Sequence, residues 1–328
     1  MPFEPYRSKY MLAKDTALPE GTSTRMSRVL SIQSHVVSGY VGNKAATFPL
    51  QLLGFDVDVC NSVQFSNHTG YDGGFEGDVL QGDQLRNILK GLKRNGLLQN
   101  VGHLLTGYIG SESFLRAVLD VLKTLRSSNN GCRYACDPVL GDYNVDGEGR
   151  FYCPPELAKI YRNEVLPLAN VVTPNRFEAE QLTGITINTL ADAKEACKVL
   201  HDLGPELVFI TSADIDGKNG KLMTILASKR TMRDSAISDE IWRVDSPIID
   251  GAYTGTGDLC AALLLAWTER EPNNLQTAME KASGTMFSVI KATNDSSGNT
   301  VGSRELRLIQ SKDFIENPPR MFKAFRVE

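Results

Sequence analysis

The feature that most constrains this chain is its regular alternation of short strand-like runs with helical ones. Apolar runs at 28–32, Val101–Thr106, Arg133–Cys136, 169–172, 207–211 and 222–227 read as strands, and 55–59 alternates with a period of two. Between them, 113–125 places Phe114, Leu115, Val118, Leu119, Leu122 and Leu125 on one helical face, and 190–203 is bounded by Thr189 as N-cap and Gly204 as C-cap. Strands alternating with helices of this length pair in parallel through right-handed crossovers. The expected fold is therefore α/β, a doubly wound, mostly parallel central sheet flanked by helices. Neither an internal repeat nor a long linker divides the sequence, so 28–328 is expected to be one domain. Residues 1–27 lack apolar periodicity and carry Pro2, Pro5 and Pro19, which reads as a flexible extension.

Composition matters here for what it excludes. A net charge of −4 leaves no basic footprint for nucleic acid or an anionic membrane. No apolar run approaches the ~20 residues that span a bilayer. Six cysteines without a C-x-x-C pair read as small buried thiols in a reducing, cytoplasmic setting. The chain has neither a P-loop nor a G-x-G-x-x-G turn after its first strand, which argues against P-loop and dinucleotide-binding proteins.

Residues 259–267, LCAALLLAW, are apolar on every side and predict a buried helix. In front of them stand Gly255, Thr256, Gly257 and Asp258. A helix start leaves backbone N–H groups unpaired, and the axis dipole adds positive potential there. Glycines let such a backbone approach an anion, and Asp258 could accept a proton from an attacking hydroxyl. A capped core helix preceded by a turn is the plainer reading of these four residues.

Polar residues recur just after the strands, at the sheet edge where open parallel sheets bind ligands. They include Ser34 and His35, the 61–71 loop, Tyr108, Asp137 and Asp142, Thr173, Asn175 and Glu178, and Thr211 with Ser212. Asp137 and Asp142 are hard oxygen ligands suited to Mg²⁺. Thr173 and Thr211 can offer oxygens to a phosphate or a monovalent cation. Asn175 and Glu178 have the spacing of a capping box, and also of a pair that orients phosphate or metal-bound water. Tyr108 could lie against an aromatic substrate ring or simply pack in the core.

The GTGD at 255–258 resembles the anion hole and catalytic base of the ribokinase-like superfamily of small-molecule kinases. Within it, SIQSHV at 31–36, GYVGNK at 39–44, NSVQFSNHTGY at 61–71, LTGY at 105–108, CDPVLGD at 136–142 and TPNRFEAE at 173–180 resemble the pyridoxal kinase family. The similarity runs from about residue 28 to the 306–311 stretch. It implies ATP-dependent phosphorylation of the 5′-hydroxymethyl group of pyridoxal, pyridoxine or pyridoxamine by a homodimeric enzyme. By resemblance, Asp258 is the base, and Gly255, Thr256 and Gly257 hold the transferring phosphoryl group. Ser34, Val41, His68, Thr69 and Tyr108 surround the vitamin ring. Asp137, Asn175, Glu178, Thr211, Ser212 and Ile249 line the ATP site with Thr256 and Gly257. Asp137, Asp142, Thr173, Glu178 and Thr211 are the candidate ligands for Mg²⁺ (Zn²⁺ or Mn²⁺ as alternatives) and a K⁺-type ion. The segment from Asp142 to Tyr152 is expected to be a mobile flap. The segments 213–220 and 229–240 fit the resemblance poorly and are expected to be variable surface hairpins. Within enzymes, a hydroxymethylpyrimidine kinase or a sugar kinase is the alternative; outside them, a catalytically silent vitamin binder.

Overall fold

The computed structural model describes residues 28–327, apart from 145, 214, 216–221, 234, 235, 297 and 299. The extension expected at 1–27, and most of the hairpin expected at 213–220, lie outside the described residues. In chain order the first half contains β1 (Arg28–Val36), α1 (Asn43–Leu52), β2 (Asp56–Phe65), β3 (Gly77–Val79), α2 (Gly82–Arg94), β4 (Val101–Thr106), α3 (Glu112–Ser128), β5 (Arg133–Cys136), β6 (Gly141–Tyr143) and β7 (Gly149–Phe151). The second half contains α4 (Leu157–Ile160), β8 (Val171–Val172), α5 (Arg176–Thr183), α6 (Leu190–Leu203), β9 (Leu207–Ala213), β10 (Leu222–Arg233), β11 (Ala236–Pro247), α7 (Thr256–Arg270), α8 (Leu275–Asp295), α9 (Lys312–Glu316) and β12 (Phe325–Val327).

Ten strands form one sheet in the order β12-β11-β10-β9-β8-β5-β4-β1-β2-β3. The six from β9 to β2 run parallel, as the alternation predicts. Antiparallel β3 borders one side, and β10, β11 and β12 extend the other. One apolar core lies under α2, α3, α5 and α6, and a second under α1, α7 and α8 on the opposite face. Helix α7 is buried from Leu259 to Trp267 and packs against both α1 and α8, which explains why it is apolar all round.

One expectation needs correction. The first two strands read as ending at 32 and 59, with a loop at 61–71, but β1 continues to Val36 and β2 to Phe65. The two strands stay paired across a bulge between Gln33 and Ser34. A buried polar network makes this tolerable: Asn43 Nδ2 donates to the carbonyls of Gln33 and Cys60 and to Asn61 Oδ1, while Asn43 Oδ1 accepts from Ser31 Oγ. The charged 229–240 segment forms a surface hairpin among its described residues, as expected, with Met232 and Ile237 exposed. It completes β10 and β11, with Arg230 directly opposite Asp239 and bonded to it at 2.8 Å.

Candidate active site

The chain leaves β1 for β2 on one side of the sheet and reaches β4 on the other, so β1 stands at a topological switch point. The start of α7 faces the loop that follows this strand. Gly255 is the N-cap, with φ 85°, and a Cβ there would lie 2.0 Å from the carbonyl oxygen of Tyr40. Only glycine permits both the left-handed turn and the contact. No side chain caps the helix from this position, so its first N–H groups keep their donor capacity. Thr256 is the first helical residue. Gly257 is exposed, and the nearest neighbour of a Cβ built on it would be Asp137 Oδ2 at 3.9 Å. The space in front of the helix start is therefore open and faces a carboxylate.

Asp258 is half-buried, and its Oδ2 accepts a 2.7 Å hydrogen bond from the Gly42 N–H. Burial raises its pKa to about 6, with the Gly42 bond pulling the other way. Gly42 itself has φ 54°, and a Cβ there would lie 2.0 Å from Ser34 O and 2.4 Å from Ser34 Oγ. One glycine thus brings the carboxylate of α7 beside the serine of β1.

Asp137 is buried beyond the end of β5, and Thr173 Oγ1 donates to its Oδ1 at 3.3 Å. Its pKa is held well above the usual carboxylate range by burial first, then by Glu178 and Asp258. Glu178 is pushed up to about 7, again chiefly by burial. Three backbone N–H groups oppose that shift: Asn175 to Oε2 at 2.9 Å, and Leu140 and Gly141 to Oε1 at 2.9 and 3.5 Å. The capping box between Asn175 and Glu178 is present, and Asn175 Nδ2 also donates to Gly141 O. The pair therefore anchors the β6 strand to α5, whatever else it does. Among the described residues no three His, Cys, Asp or Glu side chains converge to hold a metal. The exposed Asp142 accepts from its neighbour Tyr143 through Oδ1.

Thr211 donates its N–H to Pro174 O at 2.9 Å and bridges in parallel to Asn175. Ser212, just beyond it, has φ 51°, a left-handed conformation that a serine adopts at some energetic cost. Ile249 follows β11 and is half-buried, two residues before Gly251 at φ 141°.

The remaining predicted positions lie around the β1 and β2 ends. Val41 is buried beside Gly42, and Thr69 is exposed. Tyr108 is half-buried, and its Oη donates to the carbonyl of Tyr152 at 3.2 Å. The segment from Asp142 to Tyr152 contains the β6–β7 hairpin, which rests on Phe177 through edge-on contacts with Tyr143 and Phe151. His68 is buried, accepts the Gly70 N–H at Nδ1, and lies 3.3 Å from Glu305 through Nε2. Sequence reasoning passed over Glu305. No local pattern marks it, because its partners Tyr40 and Tyr71 are 265 and 234 residues away.

A family model described as phosphomethylpyrimidine kinase matches residues 97–303. The Arabidopsis thaliana pyridoxal kinase is 48% identical over 315 residues, covering 94% of this chain and 96% of that protein. The Homo sapiens pyridoxal kinase is 44% identical over 307 residues, covering 90% and 97%. The solved structure of Leishmania donovani pyridoxal kinase in complex with ADP and pyridoxamine has a TM-score of 0.83 and 37% identity, over 92% of this chain and all of that one. With the strand order, the open helix start and similarity along nearly its whole length, this chain belongs to the pyridoxal kinase family of the ribokinase-like fold.

Proposed function

We propose that this protein transfers the γ-phosphoryl group of ATP to the 5′-hydroxymethyl group of pyridoxal, pyridoxine and pyridoxamine. The observation that carries the reading is the Asp258 carboxylate at the start of α7, held by the Gly42 N–H beside Ser34. Solved relatives from Leishmania donovani are complexes with ADP and pyridoxamine, and with ADP and pyridoxine. The match to the phosphomethylpyrimidine kinase model begins at 97, past both polar segments at 33–43 and 61–71. The curated relatives cover 90% or more of the chain, which favours pyridoxal over a pyrimidine alcohol.

In this reading the vitamin ring lies between Val41 and Tyr108, with Ser34, His68 and Thr69 around its polar substituents. Asp258 takes the proton of the 5′-hydroxyl as its oxygen attacks. The open N–H groups at Gly255, Thr256 and Gly257 meet charge on the phosphoryl group in flight, where phosphoryl transfer most needs stabilisation. ATP approaches along Asn175, Thr211, Ser212 and Ile249, and the hairpin from Asp142 to Tyr152 covers both substrates and excludes water. Asp137 and Glu178, with Thr173, suit a hard divalent ion that keeps waters and phosphate oxygens as its other ligands. Mg²⁺ fits such an all-oxygen set better than Zn²⁺, which favours His and Cys. When bound, the ion neutralises charge on the phosphates. A K⁺-type ion near Thr211, a homodimer and a cytoplasmic location belong to the same proposal. The exposed apolar side chains Val59, Phe75, Val79 and Ile88, on and beside the β2–β3 edge, support the homodimer. Six buried, unpaired cysteines support the reducing compartment.

The test is a steady-state assay of pyridoxal and a hydroxymethylpyrimidine with ATP and Mg²⁺, run on wild type and Asp258→Asn. Pyridoxal should be the better substrate, and the variant should lose ~10²–10⁴ in kcat while still binding pyridoxal. Turnover of the pyrimidine alone would overturn the substrate assignment. A near-normal kcat in the variant would remove Asp258 as the base.

A further inference from the structure

The Glu305 carboxylate joins three separate parts of the chain. Its Oε2 accepts the Tyr40 N–H at 2.8 Å, in the loop between β1 and α1. Its Oε1 accepts the Tyr71 hydroxyl at 3.0 Å and faces His68 Nε2 at 3.3 Å, both beyond β2. Gly39, at φ 99°, leaves it room, since a Cβ there would lie 2.3 Å from Oε1. The side chain is only 12% exposed, and these bonds outweigh burial to hold its pKa below the usual range. The three donors therefore face a carboxylate. Because His68 Nδ1 already accepts from Gly70, its proton sits on Nε2 and points at Glu305, which fixes the tautomer and the ring plane. The Tyr71 ring packs at a tilt against His68, centroids 4.8 Å apart, and the turn at Gly302 closes over the Tyr71 hydroxyl.

We infer that Glu305 is a positioning residue for the vitamin site: it locks the β1–α1 loop and the segment after β2 into one preformed wall and sets the His68 tautomer. The inference rests on the proposed function only in taking those two segments as the ring pocket. Holding them in place before substrate arrives lowers the ordering cost of binding. Removing the carboxylate should therefore act chiefly on vitamin binding, with a smaller effect on the Asp258 base that the same loop holds through Gly42, and leave the ATP side alone.

The experiment is steady-state kinetics of the full chain carrying Glu305→Gln, Glu305→Ala or Tyr71→Phe, with pyridoxal and ATP varied independently. Glu305→Ala should raise the KM for pyridoxal on the order of tenfold, the loss expected of one charge-assisted hydrogen bond. Glu305→Gln should fall between it and wild type, and kcat and the KM for ATP should stay within about threefold. Tyr71→Phe, which keeps the ring and removes one donor, should raise the same KM by a smaller factor. That factor should vanish in a Glu305→Ala background. If Glu305→Ala does not fold, Glu305→Gln and Tyr71→Phe read the same split. Unchanged KM for pyridoxal, or equal changes in both KM values, would overturn the inference. Failure of wild type to phosphorylate pyridoxal would instead overturn the proposed function.

Discussion

Asp258 accepts one backbone bond and is otherwise held half-buried, and its pKa rises to about 6 rather than falling as it would beside a cation. A base must be ionised to work, so raising its pKa moves the acid limb of activity upward. The expected profile of kcat/KM against pH rises through about 6, two units above an ordinary aspartate. Replacing Gly42 by alanine would disturb the donor, but it would also drive a Cβ into Ser34 O at 2.0 Å, so it cannot isolate the electrostatics. Titrating wild type reads that ionisation without altering the fold. An acid limb centred near 4 would mean that Asp258 is not the group whose ionisation governs turnover. Much of this was legible in advance. The GTGD at 255–258 and its place before an apolar helix are contiguous in sequence, whereas the Gly42 bond spans 216 residues and has no local signature.

At the scale of the elements, the same helix start contains two glycines with opposite jobs. Gly255 holds the left-handed turn and lies against Tyr40, so Gly255→Ala meets both strain and a 2.0 Å backbone contact. It should lose several kcal/mol of stability, read as a lower Tm together with lost activity. Gly257 has no such need: a Cβ there meets nothing closer than Asp137 Oδ2 at 3.9 Å. Gly257→Ala should melt within a degree or two of wild type, yet lose on the order of 10²-fold in kcat because the methyl fills the space a phosphoryl group must cross. A Gly257→Ala enzyme with full activity would show that this space is not the transfer path. The elements whose boundaries sequence placed correctly are those governed by local periodicity, namely β4, β5 and α6, with Thr189 capping α6. Those it misjudged depend on remote partners. β1 and β2 run on past their apolar stretches because each supplies the other's hydrogen bonds, and the buried Asn43 network satisfies their polar residues. The β6–β7 hairpin is six residues of strand propped by Phe177 and by the Leu140 and Gly141 bonds to Glu178, none of which the 141–151 sequence reveals.

Across the whole molecule, two sets of carboxyl groups pull stability in opposite directions with pH. Glu178 near 7, Asp258 near 6 and Asp137 above its usual range bind protons more tightly folded than unfolded. Their contribution is present in full below the ordinary carboxylate range and is lost as pH rises through about 6 to 7. Glu269, Glu280 and Glu305 lie below their usual value of 4.5, so their contribution is present above that pH and is lost as pH falls beneath it. Each has a local partner: His103 for Glu269, Arg320 for Glu280, and His68, Tyr40 and Tyr71 for Glu305. The ligand-free protein should therefore be most stable between about pH 5 and 6, on the acid side of the activity that an ionised Asp258 allows. A divalent cation with nucleotide binds the ionised form of the acidic cluster, so its stabilisation should grow with pH. Thermal melts at pH 5.5 and 8, with and without Mg²⁺ and ATP, measure this directly. The ligand-free Tm should be lower at pH 8, and the gain on adding Mg²⁺ and ATP should be larger there. Glu178→Gln, which removes one titrating group but breaks the capping box, should flatten the fall between pH 6 and 8 while lowering Tm throughout. An equal gain at both pH values would mean that the buried carboxylates of β5 and α5 do not meet the cation, and that the metal is held by nucleotide alone.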